Sequence, residues 1–169
     1  MKPIIFSTPM VRAIVAGVKT QTRRVTEKQR YEIGDVLYVR EAFHPANLCH
    51  WPDLPNTKYV DKDGYDVWAF YRAHFDRCVT WSWKPSIHMP KAAARLFLKV
   101  TDVRRQHLQK ITVGDIYAEG VTTFPHQSYR AEIHRIWIKL WDSINAKRGF
   151  GWESNPLVWA YTFEEYERL

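Results

Sequence analysis

The sequence predicts a mixed α+β protein: one domain over residues 1–169, built on a curled, barrel-like sheet of about five or six strands, with flanking helices and a long insertion at about 44–90. Three observations lead there. Strand-like runs at Lys2–Phe6, Val36–Glu41, Arg95–Val103 and Val158–Phe163 lie far apart in the chain with few βαβ units between them, which favours a curled sheet over a doubly wound one. Apolar residues recur at three and four positions from Tyr129 to Asn145, the period of a helix that packs on a core. Between His44 and Pro90 five prolines and scattered aromatics break both periods. A chain of 169 residues is long enough for one proper core and short for two.

The 8 Trp, 9 Tyr and 8 Phe are a heavy aromatic load, enough for rings on a binding surface as well as in the core. A net charge of +7 favours a polyanionic partner, because Lys and Arg release counterions when they neutralise phosphates. No apolar run reaches about 18 residues and no secretory segment stands out, so a soluble, uncleaved cytoplasmic protein without a membrane partner is expected. Two cysteines make no disulfide framework. The sequence does not specify an oligomeric state.

Taken in order, Lys2–Phe6 is a short apolar strand, and Ser7-Thr8-Pro9 opens a helix with a capping hydroxyl and a proline in the first turn. The helix presents Met10, Val11, Ala13 and Ile14 and closes at Gly17. Val36–Glu41 is the clearest strand of the first half, and Arg40 and Glu41 at its exit form an ion pair or border a ligand. Inside the insertion Val67–Tyr71 is strand-like. The tract Trp81–Pro90 ends it with Trp83, Lys84 and His88, a wall for a base-binding pocket. Cys49, His50, His74 and Cys78 together are the ligand set of a tetrahedral zinc site, but neither pair has CxxC spacing, and no metal or cofactor is expected. Ala92–Ala94 is a brief helical turn before the strand Arg95–Val103. Thr112 caps a short helix with Asp115 at the capping-box offset, and this helix turns Ile116 and Tyr117 inward and ends at Glu119-Gly120. A carboxylate at a helix C-terminus opposes the macrodipole, so Glu119 is either paired with a cation or functional. The long helix buries Ile133, Ile136, Trp137, Leu140, Trp141 and Ile144. The loop Gly149–Trp152 has an aromatic tip, and Asn155-Pro156 starts the last strand.

The densest chemistry lies in Gly17-Val18-Lys19-Thr20-Gln21-Thr22-Arg23-Arg24. The glycine allows a sharp turn and the threonines favour a strand after it. Period two then places Thr20, Thr22 and Arg24 on one face, with Lys19 folding over it from the turn. Two readings stand: a pocket for an anionic or amide-bearing ligand, or a solvated basic hairpin.

This stretch, as Gly17-x-Lys19-x-x-Thr22-x-Arg24, resembles the signature turn of the ASCH domain family, part of the PUA-like superfamily of small β-barrels associated with RNA. The usual family pattern has a glutamate where Thr22 stands. The threonine form is similar to small bacterial ASCH proteins that hydrolyse N4-acetylcytidine with a lysine and threonine from this turn and a glutamate after a later strand. Carried over by position, the resemblance implies Lys19, Thr22 and Glu119, the last through the lead-in Leu108-x-x-Ile111-Thr112. It covers 2–42, 95–120 and 157–163 and leaves the insertion unmatched. The tracts Lys84–Pro90 and Asn155–Trp159 look instead like phage- and prophage-encoded members.

The resemblance therefore implies a PUA-like fold and an amidohydrolase acting on a modified nucleoside, free or within RNA. Thr22 attacks or orients water, Lys19 acts as base or oxyanion partner, and Glu119 moves a proton to the leaving nitrogen. Arg24, Thr20, Trp83, Lys84, His88 and Trp152 are the expected substrate contacts. An RNA- or nucleotide-binding module without turnover and a metal-independent ribonuclease are the alternatives.

Overall fold

The computed structural model describes residues 1–47, 56–75, 82–122 and 130–167. In chain order its regular elements are β1 (Lys2–Ile5), α1 (Thr8–Val15), β2 (Gln21–Arg24), β3 (Val36–Arg40), β4 (Phe43–Ala46), β5 (Asn56–Val60), β6 (Asp66–Tyr71), β7 (Phe97–His107), α2 (Val113–Ala118), α3 (Arg130–Asn145) and β8 (Leu157–Glu165). Among the described residues this makes eight strands in two sheets with three α-helices, a mixed α+β architecture as the sequence predicts. No helix among them is long and apolar enough to cross a membrane. The chain divides into two compact units: Met1–Arg12 with Asp35–Lys99 and Glu165–Leu169, and Ala13–Gly34 with Val100–Glu164.

In the first unit β1 runs parallel to β3, from Lys2↔Leu37 to Ile5↔Arg40, and β3 is antiparallel to the start of β7, from Val36↔Lys99 to Tyr38↔Phe97. The second sheet is antiparallel with β6 in the middle, flanked by β4 (Phe43↔Tyr71) and β5 (Asn56↔Phe70). The strand expected at Val67–Tyr71 is thus β6, whose apolar residues pack, whereas β4 and β5 were not expected. Pro45 lacks an amide donor and β5 is polar, features that read as loop. Both strands are edges, where one side of the ladder needs no partner. Phe43, Ala69, Tyr71, Met89, Ala93, Ala94 and Phe97 form this unit's apolar cluster.

In the second unit β2 is antiparallel to β8, from Gln21↔Thr162 to Arg24↔Trp159, and β8 lies beside β7, extended by the Leu108 amide donating to the Pro156 carbonyl at 3.0 Å. Both ladders are open among the described strands, since β1 bonds only to β3 and β2 only to β8. Leu108, Ile111, Ile116, Val121, Ile133, Trp137, Trp141 and Val158 make the core. Large apolar side chains of this kind contribute roughly 1.5–3 kcal/mol each relative to exposure.

The apolar stripe on α3 is narrower than expected. Ile133, Trp137, Trp141 and, on the same line, Asn145 are buried, but Leu140 and Ile144 are 36% and 49% exposed. One ridge of i, i+4 spacing makes the contact, and residues off that ridge stay wet. On α2 only Ile116 is buried. Tyr117 is 41% exposed, because neighbours on a helix point about 100° apart and a single turn reaches the core with one of them. The Trp141 indole donates to the Phe150 carbonyl at 2.8 Å, and the Asp142 carboxylate accepts from the Trp152 amide at 2.7 Å, so α3 holds the loop that follows it.

Candidate functional site

The site begins where α1 stops. Gly17 takes the left-handed conformation, φ +68°, and the Val18 and Lys19 amides both donate to the Ala13 carbonyl at 2.9 Å, closing the helix as its sequence predicts. The chain is then stitched on both sides: the Thr20 amide donates to Ala118 at 2.8 Å, and the Thr20 carbonyl accepts from Phe163 at 2.9 Å. On the opposite side, Thr112 and Asp115 form the expected capping box at the start of α2, which ends at Glu119. Gly120 follows with φ +87°, and a Cβ there would lie 2.9 Å from Ala13 Cβ and 3.0 Å from Lys19 Cβ. Only glycine permits that conformation and that approach, which bring the carboxylate of residue 119 onto the turn of residue 19.

There the Lys19 ammonium donates three hydrogen bonds, to the Gln21 carbonyl at 2.8 Å, the Glu119 carbonyl at 2.9 Å and Glu119 Oε2 at 2.9 Å. Arg23 Nη1 donates to Gln21 Oε1 at 2.7 Å and Glu119 Oε1 at 3.0 Å, and Arg23 Nη2 lies 3.3 Å from Asp115 Oδ2. The side chains of Lys19 and Arg23 are fully buried and that of Glu119 almost so. Burial pushes the Lys19 amine below the usual lysine range; Glu119 opposes this, while Arg24 and Arg23 add to it. Burial also pushes the Asp115 carboxyl up, but the bonds from Thr112 and the charges of Arg23 and Arg104 outweigh it and hold the group down at about 2.

Lys19 and Glu119, singled out in the sequence, therefore meet. Gln21 and Arg23, which complete the cluster, were missed. Counting period two from Lys19 instead of Thr20 would have found them, since Gln21 and Arg23 alternate with Thr22 and Arg24 along β2. Thr20 is exposed. Thr22 is buried, on the β2 face that carries Arg24, and its hydroxyl makes no hydrogen bond among the described residues. Its register partner is Tyr161, whose hydroxyl accepts from the Arg30 amide at 3.0 Å and whose ring meets Tyr31 edge-on at 5.0 Å. Arg24 is partly buried, and burial lowers its pKa against the opposing influence of Tyr31 and Glu119. Its charge in turn acts on Lys19, so Arg24 shares an electrostatic field with the Lys19–Glu119 pair.

Trp152 packs against the apolar core of the second unit rather than standing clear as a wall. Trp83, Lys84 and His88 belong to the first unit. The Trp83 ring lies 5.5 Å from Phe75 and 5.4 Å from the Arg72 guanidinium. Lys84 and His88 are exposed and line a groove of about 760 Å³ with Phe43 and Tyr59. Glu41 pairs with Arg95, at 2.9 and 3.1 Å, and not with its neighbour Arg40: side chains adjacent on a strand face opposite ways. Of the four residues weighed as zinc ligands, Cys49, His50 and Cys78 lie outside the described residues, and His74 sits with Nδ1 2.6 Å from Arg95 Nη1. The described residues contain no group of three His, Cys, Asp or Glu placed to hold a metal ion.

No family model and no curated protein matches the chain. Among solved structures it is similar to a crystal structure from Enterococcus faecalis whose family model is DUF984, at 12% identity and a TM-score of 0.49, over 98% of this chain and 76% of that one.

Proposed function

We propose that the chain is an amidohydrolase-like protein with a PUA-like fold that removes an acyl group from a modified nucleoside such as N4-acetylcytidine. The observation that carries this reading is the buried contact between Lys19 and Glu119, residues 100 apart in sequence that the ASCH resemblance pairs. In this reading Thr22 Oγ attacks the acyl carbonyl and its proton passes through one water to a neutral Lys19, which shares the other face of β2 with Gln21 and Arg23. Arg24 faces the resulting oxyanion, and the proton taken up by Lys19 crosses the Lys19–Glu119 bond and passes from Glu119 to the exocyclic nitrogen as the carbon–nitrogen bond breaks. Water then hydrolyses the threonine ester. The lowered pKa of Lys19 supports its role as a base, because burial raises the fraction of free amine.

A second reading, nucleotide binding without turnover, is favoured by one observation: all three Lys19 protons are already engaged by internal acceptors. The two separate on Thr22→Val, which removes a hydroxyl bonded to nothing described and keeps the volume. Release of cytidine from N4-acetylcytidine, followed by chromatography, should fall at least about 100-fold in this variant, with its melting temperature close to that of the wild type. Unchanged turnover removes the nucleophile, and no turnover by the wild type leaves the binding reading.

A further inference from the structure

The second unit has a groove of about 890 Å³ lined by four cations, Lys28, Arg30, Arg105 and Arg148, and by one carboxylate, Glu27. It uses none of the residues assigned to hydrolysis. The ion pairs of this unit engage Lys19, Arg23, Arg104 and Arg135, and among the described residues none of the four groove cations forms one. All four are exposed. The rest of the lining is largely aliphatic or small: Leu157 is 44% exposed, and Val25 and Pro156 are half-buried.

Aromatic rings steady two of the cations instead of offering a surface of their own. Phe150 is the one ring in the described lining, and the Arg148 guanidinium already lies 5.7 Å from its centre. Arg105 lies 5.6 Å from Trp159, a ring outside the lining. There is thus no row of rings on which successive bases could stack. What the groove presents is charge beside aliphatic surface. A guanidinium steadied in this way loses little freedom on binding, and its planar fork matches a carboxylate with two parallel hydrogen bonds. Glu27 would repel a phosphate backbone, but it accepts well from a peptide N–H. The volume lies near the top of the range for small-ligand pockets, about 300–1,000 Å³, and gives room for several side chains.

We propose that this groove docks an acidic peptide segment of another protein, its carboxylates on Lys28, Arg30, Arg105 and Arg148 and an aliphatic side chain on Leu157. Charge complementarity carries the inference, since four positive side chains stand against one negative in the lining. The aliphatic contact is what separates such a segment from a bare polyanion. The inference goes beyond the hydrolytic reading and does not depend on it.

The test is fluorescence anisotropy with two labelled peptides of about ten residues, one of glutamates interrupted by two leucines and one with alanines in place of the leucines, each titrated with the full chain. Because neither peptide is a substrate for deacylation, the result is independent of that assay. The leucine peptide should bind with a dissociation constant on the order of 10 μM, and the alanine peptide about fivefold more weakly. Arg105→Ala with Arg148→Ala should weaken both about tenfold or more. Leu157→Ser, an exposed change at the start of β8, should bring the two peptides to equal affinity. Lys62→Ala, a surface change in the first unit, should alter neither. Absence of binding, an unchanged affinity in the double arginine variant, a leucine preference that survives Leu157→Ser, or tighter binding of an oligocytidine of equal charge would each overturn the proposal.

Discussion

Replacing Glu119 by alanine should destabilise the protein more than most single changes. The substitution leaves two side chains, Lys19 and Arg23, with no exposure and with Asp115 as the remaining anion, 3.3 Å from Arg23. Two charge-assisted bonds disappear, at 2.9 and 3.0 Å, each worth roughly 1.5–3 kcal/mol where desolvation is complete. Stranding a buried charge typically costs about 3–5 kcal/mol, which for a chain of this size lowers the melting temperature by about 6–20 °C. Lys19→Met should cost less, since it removes a cation and leaves Glu119 bonded to Arg23. Combining Lys19→Met with Glu119→Ala should recover part of the Glu119 loss. Urea unfolding of the two single variants and the double at neutral pH gives the coupling directly. A loss below about 1 kcal/mol for Glu119→Ala would refute the idea that this cluster holds the second unit together. Lost activity in that variant therefore cannot be read as chemistry, and Thr22 is the better probe of the reaction.

Two further outcomes follow from the same surroundings. Gly120→Ala should cost about 1–3 kcal/mol in urea unfolding, from a left-handed φ of +87° and a Cβ only 2.9 Å from Ala13; a neutral result would contradict the close approach. The Asp115 carboxyl titrates at about 2 in the folded chain against an ordinary 3.8, so between those values the unfolded state binds more protons. The stability Asp115 contributes is present above about pH 4 and is lost as pH falls toward 2. Asp115→Asn should lower stability at neutral pH by about 1 kcal/mol and flatten the decline across that window, as followed by circular dichroism.

The sequence was most informative where local rules and tertiary needs agree. Gly17, the Thr112–Asp115 capping box, β6 and the Ile133–Trp137–Trp141 ridge were legible because each is a short-range pattern with one physical cause. Glu119 stood out for breaking a rule: a carboxylate at the end of α2 makes sense only once two cations are beside it. Gln21 and Arg23 escaped because nothing local tells a buried arginine from a solvated one; the difference is made by a helix nearly a hundred residues away. The edge strands β4 and β5 escaped for the complementary reason, being stabilised by pairing with β6 more than by their own side chains. The arginines of the groove were visible as charge, but their seating on Trp159 and Phe150 was not.

The placement of β2 bears on how the chain acquires its structure. Among the described strands β2 has only β8 beside it, and the Gln21 side chain reaches Thr162 across 141 residues of sequence. As the polypeptide emerges during synthesis, Lys19 and Arg23 must wait in water for Glu119, and β2 must wait longer still for a ladder. Closing such wide loops early is entropically unfavourable and slow, so this unit should gain its order late and nearly all at once. A nascent chain stopped before β8 would display Gln21–Arg24 as an unpaired strand, open to whatever in the cell holds extended, basic segments.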